Sequence, residues 1–533
     1  MRKPAMVVQM VAIACMTGLW QVTGSVSAAT APALLQATLH VDRPGPKIDR
    51  NIYGQFAEHL GRGVYEGIWV GEGSPIPNTK GYRNDVLAAL RHIHVPVIRW
   101  PGGCFADDYN WRDGIGPRAQ RPVRVNAIWG GVTESNAFGT HEFLEFTELV
   151  GARSYVSVPV GAGSPLSMEQ WLEYLLSDSQ STLAQERRRN GRDAPFKVDY
   201  LGVGNESWGC GGQMRPEHYV DEFRDYTAFV RAPAEQMPKV VASGAADDNY
   251  RWTEVLMADP VLTQKPLWGH STEAISLHYY STPGDDWNHK GSATGFSEEE
   301  WARTLSKALH MEELVAKHSA IMDKYDPERR IALYVDEWGA WYDQEPDSHP
   351  GFLYQQNSLR DALVAALTLN IFHAHAERVR MANIAQMINV LQAMILTRGE
   401  KLVLTPTYHV FDLYQVFRDA TRLPLEIESG SYTFGKLQLP QLSATAARGS
   451  DGVVHIALAN LDPQRRASLS IAVAGLAVHA VSGRVLTSVA MDAHNSFDEP
   501  HVLEPGAFKG AHLQGSQLLV AMPAKSVVVL ELH

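Results

Sequence analysis

The sequence predicts an α/β fold, a closed (β/α)8 TIM barrel followed by a C-terminal antiparallel β-sandwich of jelly-roll type. Three observations lead there. From residue 52 to about residue 384, short apolar runs alternate with amphipathic stretches of helical period, giving eight strand-then-helix units. Residues able to do chemistry stand at the ends of at least four of those strands, which is how a barrel builds its site. After about Asp419 the helical periods stop, and short β-rich runs such as 453–458 and 468–473 follow between turn residues. The second choice is a doubly wound open sheet, but no GxGxxG follows an early strand.

Taken in order, the chain opens on Arg2 and Lys3, an apolar stretch over 5–20, and the small residues Val26-Ser27-Ala28-Ala29. This reads as a signal peptide over residues 1–28, and hence as a protein exported to the periplasm or secreted. Ala12-Ile13-Ala14-Cys15 loosely matches a lipidation box. Gln9, Thr17 and Gly18 interrupt the stretch, so no stable membrane insertion is expected. Residues 29–48 hold one strand, 37–41, that has no place in the barrel count and is expected to pair with the sandwich.

Residues 49–419 form the predicted barrel, with strands at 52–56, 95–100, 155–160, 198–203, 240–242, 274–280, 331–335 and near 384. Helices are expected at 87–94, 141–150, 168–176, 216–230, 298–325 and 355–376, and residues 420–533 form the sandwich.

The chain has 533 residues, 45% hydrophobic and 20% charged, an ordinary globular composition with enough apolar surface for a large core. Its formal net charge is −12 and it has no Lys/Arg run, which argues against a nucleic-acid partner. Beyond the leader only Cys104 and Cys210 remain, at a spacing that fits no zinc site, and no metal or cofactor is implied. They fall after the second and fourth strands, which are not neighbours in a barrel, so free thiols are expected.

The chemistry centres on two glutamates. The run VDYLGVGNE delivers Glu206 to the mouth of the fourth strand, and IALYVDE delivers Glu337 to the mouth of the seventh. Two carboxylates facing each other across a barrel suit glycosidic-bond hydrolysis, in which one donates a proton and the other attacks or assists. Asn205 is placed to hold a sugar hydroxyl beside the scissile bond. Arg99, from VIRWPGG, and His278 and Tyr280, from ISLHYY, can all reach Glu337. Glu58 is a third strand-end carboxylate suited to accepting sugar hydroxyls. Trp100, Trp129, Trp208, Trp338 and Trp341 lie near the same ends, where each either stacks on sugar or packs the core.

IYGQFAEHLGRGVYEGIWVG, VIRWPGGCFADDYNWRDGIGP, GVGNESWGCGG, ISLHYY, DEWGAWYD and the stretch from LYQQNSLRD to VLQAMI together resemble glycoside hydrolase family 51, the α-L-arabinofuranosidases. The resemblance covers nearly the whole mature chain. It implies a retaining enzyme with Glu206 as acid/base and Glu337 as nucleophile. It also implies Glu58, Cys104 (through its backbone), Asn205, Tyr280 and Gln386 as contacts to arabinofuranose, an arabinose-containing polysaccharide or oligosaccharide as substrate, and a homo-oligomer. Pro159 and Ser207 depart from the family's usual residues and leave the leaving-group preference open. From the residues alone, another retaining barrel hydrolase (an endoglucanase or β-xylosidase) and a non-catalytic carbohydrate-binding protein stay open.

Overall fold

Residues 34–264 and 271–533 are described by a computed structural model of the chain. The barrel closes through eight parallel strands: Gly54–Phe56, Val97–Trp100, Arg153–Val158, Tyr200–Val203, Lys239–Ala246, Thr272–Ser281, Ala332–Ala340 and Val379–Ile384. Its lower interior is filled by Val97, Tyr155, Tyr200, Val241, Ala274, Ala332, Tyr334 and Met381. The barrel is therefore a packed plug beneath the mouth, and the site has a rigid floor. Gly54 has a packing reason, because a Cβ there would fall 2.7 Å from Val97 Cγ1 and 2.8 Å from the Ala382 carbonyl.

Two helices show how local sequence sets their ends. Ser297 and Glu300 cap Glu298–Tyr325 reciprocally, and Ser358 and Asp361 do the same for Leu359–Ala374. The second helix is buried on every side from Leu359 to His373, because one sandwich sheet covers the flank that usually faces water. Asn370 Nδ2 donates to Ser443 Oγ at 3.0 Å across that boundary, and Trp301 Nε1 donates to the Leu461 carbonyl at 3.0 Å. Predicted element ends move by a few residues, for instance to Asn84–His92, Arg153–Val158 and Leu359–Ala374.

The sandwich is a five-stranded sheet over a six-stranded one, closed on Leu39, Leu458, Leu469, Ile471, Val528 and Leu530. It is not wholly antiparallel. Leu34–His40 lies parallel to Ala467–Ala474, in register from Leu34↔Ser468 to His40↔Ala474. Parallel neighbours need a long crossover, and here the entire barrel supplies it. Among the described residues no helix is long and apolar enough to cross a membrane.

Candidate active site

The first strand runs into Glu58, a carboxylate 2% exposed. Its Oε1 accepts the Phe105 backbone N–H at 3.0 Å and Trp129 Nε1 at 2.9 Å, and its Oε2 accepts Gln386 Nε2 at 2.9 Å. Burial, then the nearby Glu337 charge, push Glu58 up to about 7 although these three donors pull the other way. Gly102 lets the second-strand loop lie against it, with φ +157° and space so tight that a Cβ would sit 2.4 Å from Glu58 Cγ.

Glu337 is held from two sides. Tyr280 donates its hydroxyl to Oε1 at 2.7 Å, and Arg99 Nη1 donates to Oε2 at 3.1 Å. Glu206 faces it across the mouth, with His278 Nδ1 at 2.9 Å from Glu206 Oε1 and 3.3 Å from Glu337 Oε2. One oxygen of each glutamate and a nitrogen of His278 all lie within 4.8 Å of one another. Burial raises Glu206 first and the Glu337 charge adds to it, against the His278 hydrogen bond. Glu206 therefore holds its proton to higher pH than a free glutamate does.

Asn205 is oriented by its neighbours. Arg99 Nη2 donates to Asn205 Oδ1, and Asn205 Nδ2 donates to Asp107 Oδ2 at 3.3 Å. Because a guanidinium only donates, this pairing fixes which end of the amide points where. Asp107 is buried, and that burial, with Glu206 adding to it against the Asn205 bond, pushes it up to about 7.

The expectation of free thiols is wrong, for Cys104 and Cys210 form a disulfide with their Cα atoms 5.6 Å apart. The second and fourth strands are separated by the third, as expected, yet their loops cross above it. Gly161, just past the third strand, lies so close beneath Gly211 that a Cβ on it would fall 2.3 Å from the Gly211 carbonyl. The two sulfurs lie 3.9 and 3.8 Å from Glu206 Oε2 and so wall one side of that carboxyl group. Alkylation without reductant is expected to label neither Cys104 nor Cys210. Cys210→Ala should lower stability by about 2–4 kcal/mol, read as a drop in Tm.

Glu58, Arg99, Cys104, Asn205, Glu206, His278, Tyr280, Glu337 and Gln386 thus converge on one mouth. Trp338 does not join them. Its ring lies against Phe411 and Phe372, at centroid distances of 6.4 and 5.4 Å, in the layer behind the strand. Trp100 likewise packs inward on Phe143. Trp129 does reach the site through Glu58, and Trp341 reaches it through Tyr280, 5.0 Å away. Sequence reading missed Asp107, Tyr155 and Asp336, although Asp336 stands directly before Glu337.

A family model described as the α-L-arabinofuranosidase C-terminal domain matches residues 336–526, and one described as the α-L-arabinofuranosidase 1 domain matches residues 89–295. An intracellular exo-α-L-arabinofuranosidase of Bacteroides ovatus is 48% identical over 498 residues, covering 93% of this chain and 95% of that one. The crystal structure of the GH51 arabinofuranosidase from Xanthomonas axonopodis pv. citri superposes with a TM-score of 0.90 at 55% identity, covering 94% of this chain and 100% of that one. An arabinose complex of the α-L-arabinofuranosidase from Thermotoga maritima gives 0.80 at 29% identity, covering 93% of this chain and 99% of that one. The Bacteroides ovatus relative overturns the expectation of export, since it is named intracellular. The leader on which that expectation rested, with Cys15, lies outside the described residues.

Proposed function

Because the chain belongs to glycoside hydrolase family 51, the α-L-arabinofuranosidases, we propose that Glu337 is its nucleophile and Glu206 its acid/base. The enzyme is a retaining, exo-acting glycoside hydrolase. On this assignment Glu206 protonates the leaving oxygen while Glu337 attacks the anomeric carbon, and Glu206 then takes a proton from the water that releases the sugar. One observation carries double displacement by this pair: an oxygen of each carboxylate and a ring nitrogen of His278 lie within 4.8 Å of one another. That separation suits a covalent intermediate, whereas an inverting pair stands roughly 6.5–9.5 Å apart to admit water.

The pocket residues are assigned with the same reading. Glu58, Asn205, Tyr280, Gln386 and the Cys104 backbone close on one terminal arabinofuranose, with Arg99 and His278 supporting the glutamates. The substrates are arabinan, arabinoxylan or oligosaccharides derived from them. The supporting division of labour is a catalytic barrel over 49–419 and a bracing sandwich over 420–533 completed by the strand within 29–48, consistent with the pairing of Leu34–His40. A homo-oligomer is part of the same proposal.

Digestion of a reduced arabino-oligosaccharide tests the function. Arabinose should be the sole early product, shortening the chain from its non-reducing end, and proton NMR should show the α-anomer forming first. A first-formed β-anomer would rule out double displacement by this pair.

A further inference from the structure

Asp336 precedes Glu337 on the seventh barrel strand, where consecutive residues ordinarily face opposite sides of the sheet. Here both carboxylates reach the interior. The strand carries an extra residue relative to both neighbours: its pairing shifts between Ser276 and His278 on the sixth-strand side, and between Val335 and Trp338 on the eighth-strand side. Such a bulge re-aims a side chain, and it leaves Asp336 only 1% exposed. A carboxylate that deep is costly unless its oxygens are partnered. Asp336 Oδ2 accepts the Tyr155 hydroxyl at 2.8 Å and lies 3.5 Å from Arg99 Nε, while Oδ1 lies 3.2 Å from His278 Nε2.

The other edge of the His278 ring bears on its charge. Nδ1 already faces Glu206 and Glu337 at 2.9 and 3.3 Å, so carboxylate oxygens stand at both ring nitrogens. A neutral imidazole would turn a lone pair toward Glu337 or Asp336, whereas an imidazolium presents an N–H and positive charge to both; the Nε2 contact with Asp336 Oδ1 is an ion pair rather than an aligned hydrogen bond. The remaining charged and titratable groups of the cluster are Arg99 on the second strand, Tyr155 on the third, Tyr280 on the sixth, and Glu58 and Asp107 across the mouth. Asp247, after the fifth strand, meets only the backbone, its N–H donating to the His278 carbonyl at 3.0 Å. Burial disfavours a charged ring, yet Glu337, Asp336 and Glu206 together raise His278 to about 10. For Asp336, burial pushes upward and is outweighed by Arg99, His278 and Tyr155, which hold it below the ordinary carboxylate range.

We propose that Asp336 is a positioning residue that keeps His278 an imidazolium, so that one cation is held between the acid/base and the nucleophile throughout the reaction. The proposal rests on the roles assigned above to Glu206 and Glu337. It gives His278 a fixed charge as well as a fixed orientation, and it gives the bulge a purpose.

The direction of a pH shift tests it. In Asp336→Asn, if His278 loses its proton with its partner, the two glutamates lose a near cation and only a more distant anion. Both limbs of the kcat/KM profile on 4-nitrophenyl α-L-arabinofuranoside then move to higher pH, by about 1 unit. If His278 keeps its charge unaided, only an anion is lost, both limbs move to lower pH, and the proposal is overturned. Asp336→Glu restores the anion and should return the limbs toward their original positions, which a merely structural role would not require.

A second measurement covers failure of Asp336→Asn to fold. Histidine labelled at 13Cε1 in the wild-type enzyme, with the His278 signal identified by its loss in His278→Gln, should still report a charged ring at about pH 8. A neutral ring there overturns the proposal. Full activity in Glu337→Ala would instead refute the role assignment beneath it, which keeps the two failures apart.

Discussion

Glu337→Ala is expected to lose turnover on every arabinofuranoside by about 10⁴–10⁶-fold, the scale seen when a covalent nucleophile is removed. Glu206→Ala is expected to behave differently. It should lose about 10²–10⁴-fold on sugar leaving groups, the usual contribution of general acid catalysis, and far less on aryl groups that depart unprotonated. The alkaline limb of the pH profile should vanish with Glu206. That limb reports the loss of its proton, which burial and the Glu337 charge hold to higher pH than in a free glutamate. Azide separates the roles further. In Glu337→Ala it attacks from the vacated face and gives the β-arabinosyl azide, whereas in Glu206→Ala it opens the covalent intermediate and gives the α-azide. Equal losses on aryl and sugar leaving groups in both variants would refute the assignment.

What the sequence reveals follows the range of the interactions involved. The barrel strands and the helix over Glu298–Tyr325 are legible because periodicity is local. So are Glu206 and Glu337, since a carboxylate ending an apolar strand is anomalous wherever the strand lies. The parallel partner of Leu34–His40 is not legible, because only the folded barrel brings residues 467–474 beside it. Strand order separates Cys104 from Cys210, but it does not report that their loops pass over the third strand. Asp336 is overlooked and Trp338 misplaced for one shared reason. Simple alternation places Asp336 on the opposite face from Glu337, and nearness to the strand end places Trp338 at the mouth; a bulge visible only in the pairing register brings Asp336 in, and Trp338 packs behind the strand.

Ring size is where the glutamate pair alone decides least, because the same pair serves many six-membered sugars on barrels of this kind. Selection has to come from groups that meet the hydroxyls, and on the assignment proposed above Glu58 is the strongest of them. It is buried, fixed by Phe105, Trp129 and Gln386, and raised to about 7 by burial and the Glu337 charge. A substrate that brings hydroxyl donors to this carboxylate stabilises its charged form, while one that misplaces them leaves it poorly solvated. The penalty for a misfit therefore exceeds that of one lost contact. The enzyme is expected to prefer 4-nitrophenyl α-L-arabinofuranoside over the α-L-arabinopyranoside and the β-D-xylopyranoside by on the order of 10³-fold or more in kcat/KM. Glu58→Ala should cost about 10²–10⁴-fold on the furanoside and much less on the two pyranosides, so most of the preference disappears. Binding weakened in the ground state alone would raise KM, but hydroxyl contacts that tighten as the oxocarbenium ion develops should lower kcat as well. Comparable kcat/KM on the furanoside and the xylopyranoside in the wild-type enzyme would remove Glu58 as the selector. An unchanged preference in Glu58→Ala would move that role to Asn205 and Gln386.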